Sequence, residues 1–252
     1  MGPTKIRITG LNAYYGSLQA LKAINLEIPA NCLFTIMGPT GSGKTTLLRT
    51  INRLNESIRG FRAEGDVLVD GQDVYSPEVD VPSLRRKIGM VFAVTTPLPL
   101  SVYENVAYGP RTKGVSSKAE LDAVVGKCLR DALLWDEVQD RLDDPASRLS
   151  GGQQQRLSMA RVLALEPEVI LLDEPSSGLD PVSTARLEEL LRRLSMAYTV
   201  VLVTHNPLQA ARVGDLTAFL YLGELVEVGP TGQLFMNPKD GRTEDYVLGR
   251  FG

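Results

Sequence analysis

The sequence predicts an α/β fold, in which a parallel sheet with crossover helices is joined to an antiparallel β subdomain near the start and to a helical subdomain. Three observations predict it. Short apolar runs of strand length recur at Leu33–Met37, 169–172 and 200–203. Their apolarity is continuous rather than alternating, which marks strands buried on both faces. Helix-like stretches lie around them at 45–54, 118–133, 153–165 and Pro181–Leu194, as crossover connections require. Residues 1–30 and Gly65-Asp66-Val67-Leu68-Val69-Asp70-Gly71 instead alternate or end in turn residues, which suits antiparallel strands.

The domain plan follows from length and punctuation. With 252 residues, 43% hydrophobic, 23% charged and 6% aromatic, the composition is that of an ordinary folded chain and excludes disorder. No repeat, low-complexity tract or long linker interrupts it. A single domain is therefore expected, with residues 1–92 and 166–252 as a β-rich and phosphate-binding core and 93–165 as the helical subdomain. That subdomain opens at Thr96-Pro97-Leu98-Pro99-Leu100, a Pro-containing stretch that resists helix until its end.

Charge and cysteine content narrow the function classes. The net charge is -3, from 27 Lys and Arg against 30 Asp and Glu, whereas a general nucleic-acid binder needs a basic surplus. Cys32 and Cys128 have no CxxC spacing, so both read as packing residues and a reducing cytoplasm is the simplest compartment. The first residues lack the apolar core of a leader, and no run approaches the roughly 18 to 20 residues of a membrane span. Any role at a membrane is expected to be peripheral, through a partner.

Gly38-Pro39-Thr40-Gly41-Ser42-Gly43-Lys44-Thr45 lies between an apolar strand and a helix and fits the phosphate-binding pattern G-x-x-x-x-G-K-[ST], a P-loop. Glycines let backbone N–H groups converge on phosphate oxygens, and the following helix turns its positive end toward them. Lys44 is expected to reach the β and γ phosphates, and the Thr45 hydroxyl to bind Mg²⁺. The bland alternative is a Gly-rich turn without a ligand, which the strand-loop-helix context disfavours. A P-loop predicts nucleotide binding, but kinases, GTPases and motor ATPases share it.

Val169-Ile170-Leu171-Leu172-Asp173-Glu174-Pro175 is an apolar strand ending in two carboxylates, at the end of a parallel strand where ligands bind. Asp173 can hold Mg²⁺ through water, and Glu174 can orient or deprotonate the attacking water. Neighbours on an extended chain point to opposite sides, so separate roles are expected. Taken alone, the pair could equally be solvated acids that end a strand. His205, the single histidine, follows the run 200–203. A lone histidine is more often structural, but its position after a second core strand lets it meet a γ-phosphate or the attacking water.

Leu149-Ser150-Gly151-Gly152-Gln153-Gln154-Gln155-Arg156 puts a serine and two glycines at the head of a helix, a second favourable anion site. One nucleotide leaves little use for two such sites in one subunit. In the order GPTGSGKTT, LSGGQQQR, ILLDEP and a following histidine, the chain resembles the ATP-binding subunits of ABC transporters, over nearly its whole length. The resemblance implies a P-loop NTPase (RecA-like) core and a head-to-tail homodimer. ATP would be held on one side by Gly38, Pro39, Thr40, Gly41, Ser42, Gly43, Lys44, Thr45 and Thr46. Ser150, Gly151, Gly152 and Gln153 of the other copy would close over it. Ser177-Gly178-Leu179-Asp180 looks like the loop bridging the two family sites, and Tyr15 like the aromatic that stacks on adenine. Tyr14 competes with it, and either could instead be a strand or core tyrosine.

Within the family, three segments resemble the ATPase subunit of phosphate importers. These are Ser101-Val102-Tyr103-Glu104-Asn105-Val106-Ala107-Tyr108-Gly109, Tyr221-Leu222-Gly223-Glu224-Leu225-Val226-Glu227 and the tail from Arg242 through Phe251 and Gly252. The implied function is ATP hydrolysis, with Glu174 as general base, His205 as γ-phosphate sensor and Lys44 as charge stabiliser. It would power phosphate import through integral-membrane permease subunits and a solute-binding protein, on the cytoplasmic face of the membrane. The alternatives are another solute, a soluble role in DNA repair or on the ribosome, or a poorly hydrolysing regulatory subunit.

One residue departs from the family pattern. In Gly89-Met90-Val91-Phe92-Ala93 the family has glutamine after Val-Phe, contacting Mg²⁺ and water and linking the nucleotide to the membrane partner. Alanine offers neither donor nor acceptor, so altered hydrolysis and weakened coupling are expected, with Thr45 and Asp173 still able to retain Mg²⁺. Arg85-Arg86-Lys87 and Arg192-Arg193 read as solvated helix faces, and Met159 as core.

Overall fold

A computed structural model of the protein describes residues 2–250, so Met1 and the tail residues Phe251 and Gly252 lie outside the described residues. The strands are β1 (Thr4–Tyr15), β2 (Leu18–Pro29), β3 (Leu33–Met37), β4 (Phe61–Val69) and β5 (Gln72–Asp73), then β6 (Ile88–Val91), β7 (Val169–Asp173), β8 (Thr199–Thr204), β9 (Leu216–Tyr221) and β10 (Glu224–Pro230). The α-helices are α1 (Lys44–Ile51), α2 (Val81–Lys87), α3 (Val102–Thr112), α4 (Lys118–Asp131) and α5 (Trp135–Val138). They continue with α6 (Gly151–Leu163), α7 (Pro181–Leu194), α8 (Pro207–Val213), α9 (Thr231–Met236) and α10 (Gly241–Val247).

Two sheets organise these elements. β1, β2, β4 and β5 form an antiparallel sheet in the order β2-β1-β4-β5, and the other six form a sheet in the order β10-β9-β3-β8-β7-β6. Within the second sheet β9, β3, β8, β7 and β6 run parallel, and β10 closes the edge antiparallel to β9. This is the mixed α/β architecture expected from the sequence, a mainly parallel sheet joined to an antiparallel one.

The continuous apolar runs reflect burial on two faces. Leu33, Ile170, Leu172, Val200 and Leu202 face a core shared with α3, α4, α6 and α7. Their neighbours Phe34, Ile36, Val169, Leu171, Val201 and Val203 face α1 and the antiparallel sheet. Alternate side chains of one strand thus enter two different cores, and no polar face is left to alternate. Helices α3 to α6 share the first of these cores with the sheet rather than enclosing one of their own.

Several helix boundaries differ from expectation for local reasons. α1 ends at Ile51, not 54, because Asn52 leaves helical geometry and Arg53 adopts φ 59°. α4 ends at Asp131 ahead of Leu133, whose φ of 52° breaks the helix. α6 starts at Gly151, two residues earlier than the pattern suggests, on the Ser150 cap. The pattern does not announce β6 or β9. β6 has only four residues, one of them glycine, too few for periodicity to register.

Arg85-Arg86-Lys87 is not the merely solvated face expected from sequence. Arg85 donates to the carbonyls of Asn52 and Arg53 beyond α1, while Lys87 pairs with Asp70 at 2.7 Å and Glu168 at 3.5 Å. Arg192 and Arg193 are exposed and Met159 is buried, as expected. Cys32 and Cys128 are free thiols whose pKa values burial pushes up to about 11, as suits packing rather than reactivity. No helix among the described residues is long and apolar enough to cross a membrane.

Candidate active site

The phosphate loop leaves the buried strand β3 and enters α1. A Cβ at Gly38 would stand 2.1 Å from the Leu220 carbonyl oxygen, and one at Gly43 2.8 Å from that of Ala20, so both positions exclude a side chain. Gly43 has φ 99°, a region open to glycine at little cost. Lys44 is buried, and its ammonium donates to the Gly38 and Pro39 carbonyls at 2.8 Å each. Burial lowers its pKa, opposed by the charges of Glu174 and Asp173. Residues 40–46 line a cleft of about 620 Å³ with Tyr15, Glu174 and Leu222.

Tyr15 lies in that cleft and Tyr14 does not line it. The Tyr15 hydroxyl donates to Asn55 at 3.0 Å and lies 3.4 Å from the Thr46 hydroxyl, and its ring leans on Phe61 at 5.4 Å. Tyr14, on the other side of β1, sits beneath the Arg62 guanidinium at 3.9 Å. Strand alternation therefore separates the two candidates.

The two carboxylates of the acidic pair are placed apart, but not by the extended geometry expected from the sequence. Asp173 ends β7 inside the fold, where its carboxylate accepts from the Thr45 hydroxyl at 2.8 Å and from Arg49 at 3.2 Å. Glu174 is not extended. Its φ of 48° turns the chain into the left-handed region, which a non-glycine residue occupies only at a cost of about 1 kcal/mol or more. That turn aims Glu174 into the cleft, with its Oε2 2.9 Å from His205 Nδ1. The hydroxyl and carboxylate oxygens of Thr45 and Asp173 are hard donors of the kind Mg²⁺ takes, so this pair fits the metal.

Arg49 is a contact that the sequence pattern does not single out. It stands four residues after Thr45 on α1, hence on the same helix face, and that spacing is the one local signal for it. It also lies over the Phe92 ring at 5.9 Å, beside the loop in which Ala93 stands. Gln155 and Asn105, both buried, hold this loop. Gln155 donates to the Phe92 carbonyl at 3.2 Å and accepts from Thr95 at 2.9 Å, and Asn105 bonds Leu98, Leu100 and Ser101.

The signature segment is brought to α7 rather than to the cleft. Ser150 caps α6 by accepting from the Gln153 backbone, and the Gln153 side chain accepts from the Ser150 backbone in return, a capping box. Gln153 also donates to Glu137 at 2.8 Å, which accepts from Arg156 at 2.7 and 3.0 Å and from Arg186. Gly151 is exposed. Gly152 is pressed on α7, where a Cβ would meet the Ser183 Oγ at 2.5 Å. Asp180 caps α7, accepting from the Val182 and Ser183 backbones at 2.9 Å each. Neither Asp180 nor residues 150–153 line the phosphate-loop cleft of their own chain.

These features agree with known proteins. A sequence model described as ABC transporter matches residues 21–177. Among solved structures, cbiO1 from Clostridium perfringens, part of the ABC transporter complex cbiONQ, is 27% identical with a TM-score of 0.81, covering 98% of this chain and 96% of that one. A bacterial Atm1-family ABC exporter with ATP bound has 25% identity and a TM-score of 0.81, covering all of this chain but 43% of its own. The family match spans the phosphate loop, the signature and the acidic pair, and the likeness in structure runs over the whole chain: it belongs to the ABC transporter family, as an ATP-binding ATPase domain.

Proposed function

We propose that this chain hydrolyses ATP to power import of inorganic phosphate through partner membrane subunits. The observation that carries the ATPase reading is the convergence of residues 40–46 and Glu174 on one cleft, with His205 2.9 Å from Glu174. The loop N–H groups and Lys44 take the phosphates and offset the charge that builds as the terminal phosphoryl group leaves. Glu174 accepts a proton from the water attacking the γ-phosphorus, while the bond from that phosphorus to the ADP oxygen breaks. His205 senses the γ-phosphate, and Tyr15 stacks on adenine. Thr45 and Asp173 would hold Mg²⁺, which when bound would neutralise phosphate charge.

Two copies complete the sites. In this reading Ser150, Gly151, Gly152, Gln153 and Asp180 serve the ATP of the opposite chain, in keeping with their absence from their own chain's cleft. ATP bridges the halves and its hydrolysis releases them. A groove of about 520 Å³ beside the Ala93 loop presents Phe92, Val94 and Tyr108, which are 41%, 84% and 53% exposed. Exposed apolar side chains gathered in one groove suit a partner segment, here of a permease. A solute-binding protein completes the importer, the subunit lies peripherally on the cytoplasmic face, and nucleic acid is no partner.

Phosphate as solute rests on the three subgroup segments, of which the tail is described through Arg250. The test is to copurify the membrane subunits, reconstitute them in vesicles with this chain, and follow ATP-driven uptake. Uptake of labelled phosphate is expected; uptake of another solute alone removes phosphate while leaving the ATPase. Ala93 favours a second reading, a clamp that binds ATP and hydrolyses it poorly. A specific hydrolysis rate that rises with protein concentration supports the dimeric ATPase, and a rate equal to a Glu174→Gln control supports the clamp.

A further inference from the structure

We propose that Tyr246, on the C-terminal helix α10, is a positioning residue of the ATPase site, its ring seated at the start of the phosphate loop and its hydroxyl holding the segment that carries His205. The Tyr246 hydroxyl donates to the His205 carbonyl at 2.9 Å. The ring of the same side chain packs in one cluster with Met37, the residue that leads into Gly38. One buried side chain thus bridges two loops that leave neighbouring parallel strands, β3 and β8, its ring packed beside Met37 and its hydroxyl satisfying a carbonyl that needs a partner when buried.

The surroundings hold that hydroxyl in place. Tyr246 is 5% exposed and stacks on Phe219 at 4.9 Å. It packs in a small cluster with Met37, the residue before Gly38, and with Ala210 on the helix that follows His205. α10 is docked by its Asp240 cap, and Glu227 on β10 accepts from the backbones of Lys239 and Asp240. Burial, aided by the Glu174 charge, pushes the Tyr246 pKa up to about 12. The phenol therefore stays protonated near neutrality and keeps its donor for His205.

Packing alone would be served by phenylalanine, which has the same ring. The hydroxyl is what couples the loops: it fixes the His205 backbone relative to a ring seated beside Met37, and with it the reach of the imidazole toward Glu174. Small misplacements of a catalytic group cost rate steeply. The inference rests on the reading of His205 as a γ-phosphate sensor, and adds the C-terminal helix to the machinery.

The experiment compares wild type, Tyr246→Phe, His205→Ala and the double variant. It measures single-turnover MgATP hydrolysis, equilibrium binding of a fluorescent ATP analogue, and the thermal midpoint. Tyr246→Phe is expected to lower the rate about fivefold to tenfold, the scale of one hydrogen bond. Nucleotide affinity should stay within about twofold, because the phosphates are held by residues 40–46. In the His205→Ala background the same substitution should cost little more, as coupled residues do. An unchanged rate in Tyr246→Phe, an equal loss in both backgrounds, or a lower thermal midpoint with a normal rate overturns the proposal. A wild-type rate in His205→Ala instead overturns the reading of His205, so the two failures are distinguishable.

Discussion

Glu174 Oε2 and His205 Nδ1 meet at 2.9 Å across the ends of β7 and β8, although 31 residues separate them in the chain. The contact exists because these strands are adjacent and parallel, with Asp173 paired to Val203. Substituting Glu174→Gln keeps the size but removes the carboxylate proposed as the base. Single-turnover hydrolysis is expected to fall about 10²-fold to 10⁴-fold, as for loss of a general base, with ATP analogue binding retained. A loss under threefold would show that another group takes the proton.

Ala93 occupies a loop whose backbone is already held by Gln155 and Asn105. A glutamine there adds a donor and an acceptor without having to fold the loop. Ala93→Gln is expected to raise Mg-dependent turnover about threefold or more, the scale of a hydrogen bond made in the transition state. It should also strengthen stimulation by copurified membrane subunits. If both turnover and stimulation stay at the parent level, Ala93 has no functional weight.

Gly152 is a packing residue whatever its part in binding ATP. Gly152→Ala would press a methyl within 2.7 Å of Ser183 Cβ, and overpacking of this kind costs about 1 to 3 kcal/mol. Urea denaturation of Gly152→Ala should register that loss. The companion substitution Ser183→Gly removes the obstructing atoms, so the double variant should regain stability relative to Gly152→Ala beyond the sum of the single effects. Additive losses would mean that α6 and α7 do not meet there.

Glu137 links stability to acid. Burial pushes its pKa up, but the bonds from Arg156 and Gln153 and the charges of Arg156 and Arg186 outweigh it, and the net direction is down from 4.5. A lowered carboxyl contributes stability above its unfolded pKa and loses it as pH falls through the folded value. Denaturation midpoints should therefore decline below about pH 4.5 in the parent. In Glu137→Gln that part of the decline should flatten, at the cost of lower stability at pH 7, since Arg156 is 4% exposed and would lose its counter-charge. An acid limb identical in both proteins would remove Glu137 from the account.

The segments proposed to carry the chemistry of this protein are local, and they are legible in the amino-acid sequence alone. The phosphate loop, the strand ending in Asp173 and Glu174, and the Ser150 cap are contiguous segments, and contiguity is what a sequence displays. The continuous apolar runs likewise announce strands buried on two faces. Local patterns cannot show which distant segments meet, because that depends on strand order and on loop geometry. Only the tertiary structure puts Arg49 on Asp173, turns Glu174 out of the extended conformation toward His205, separates Tyr15 from Tyr14, and sets Gly152 against Ser183. It also seats Tyr246 beneath the His205 loop, since β9 pairs with β3 and the C-terminal helices pack at its phosphate-loop end, beside Met37. Contacts of that range are selected by the packing of whole elements, and no window along the chain contains both partners.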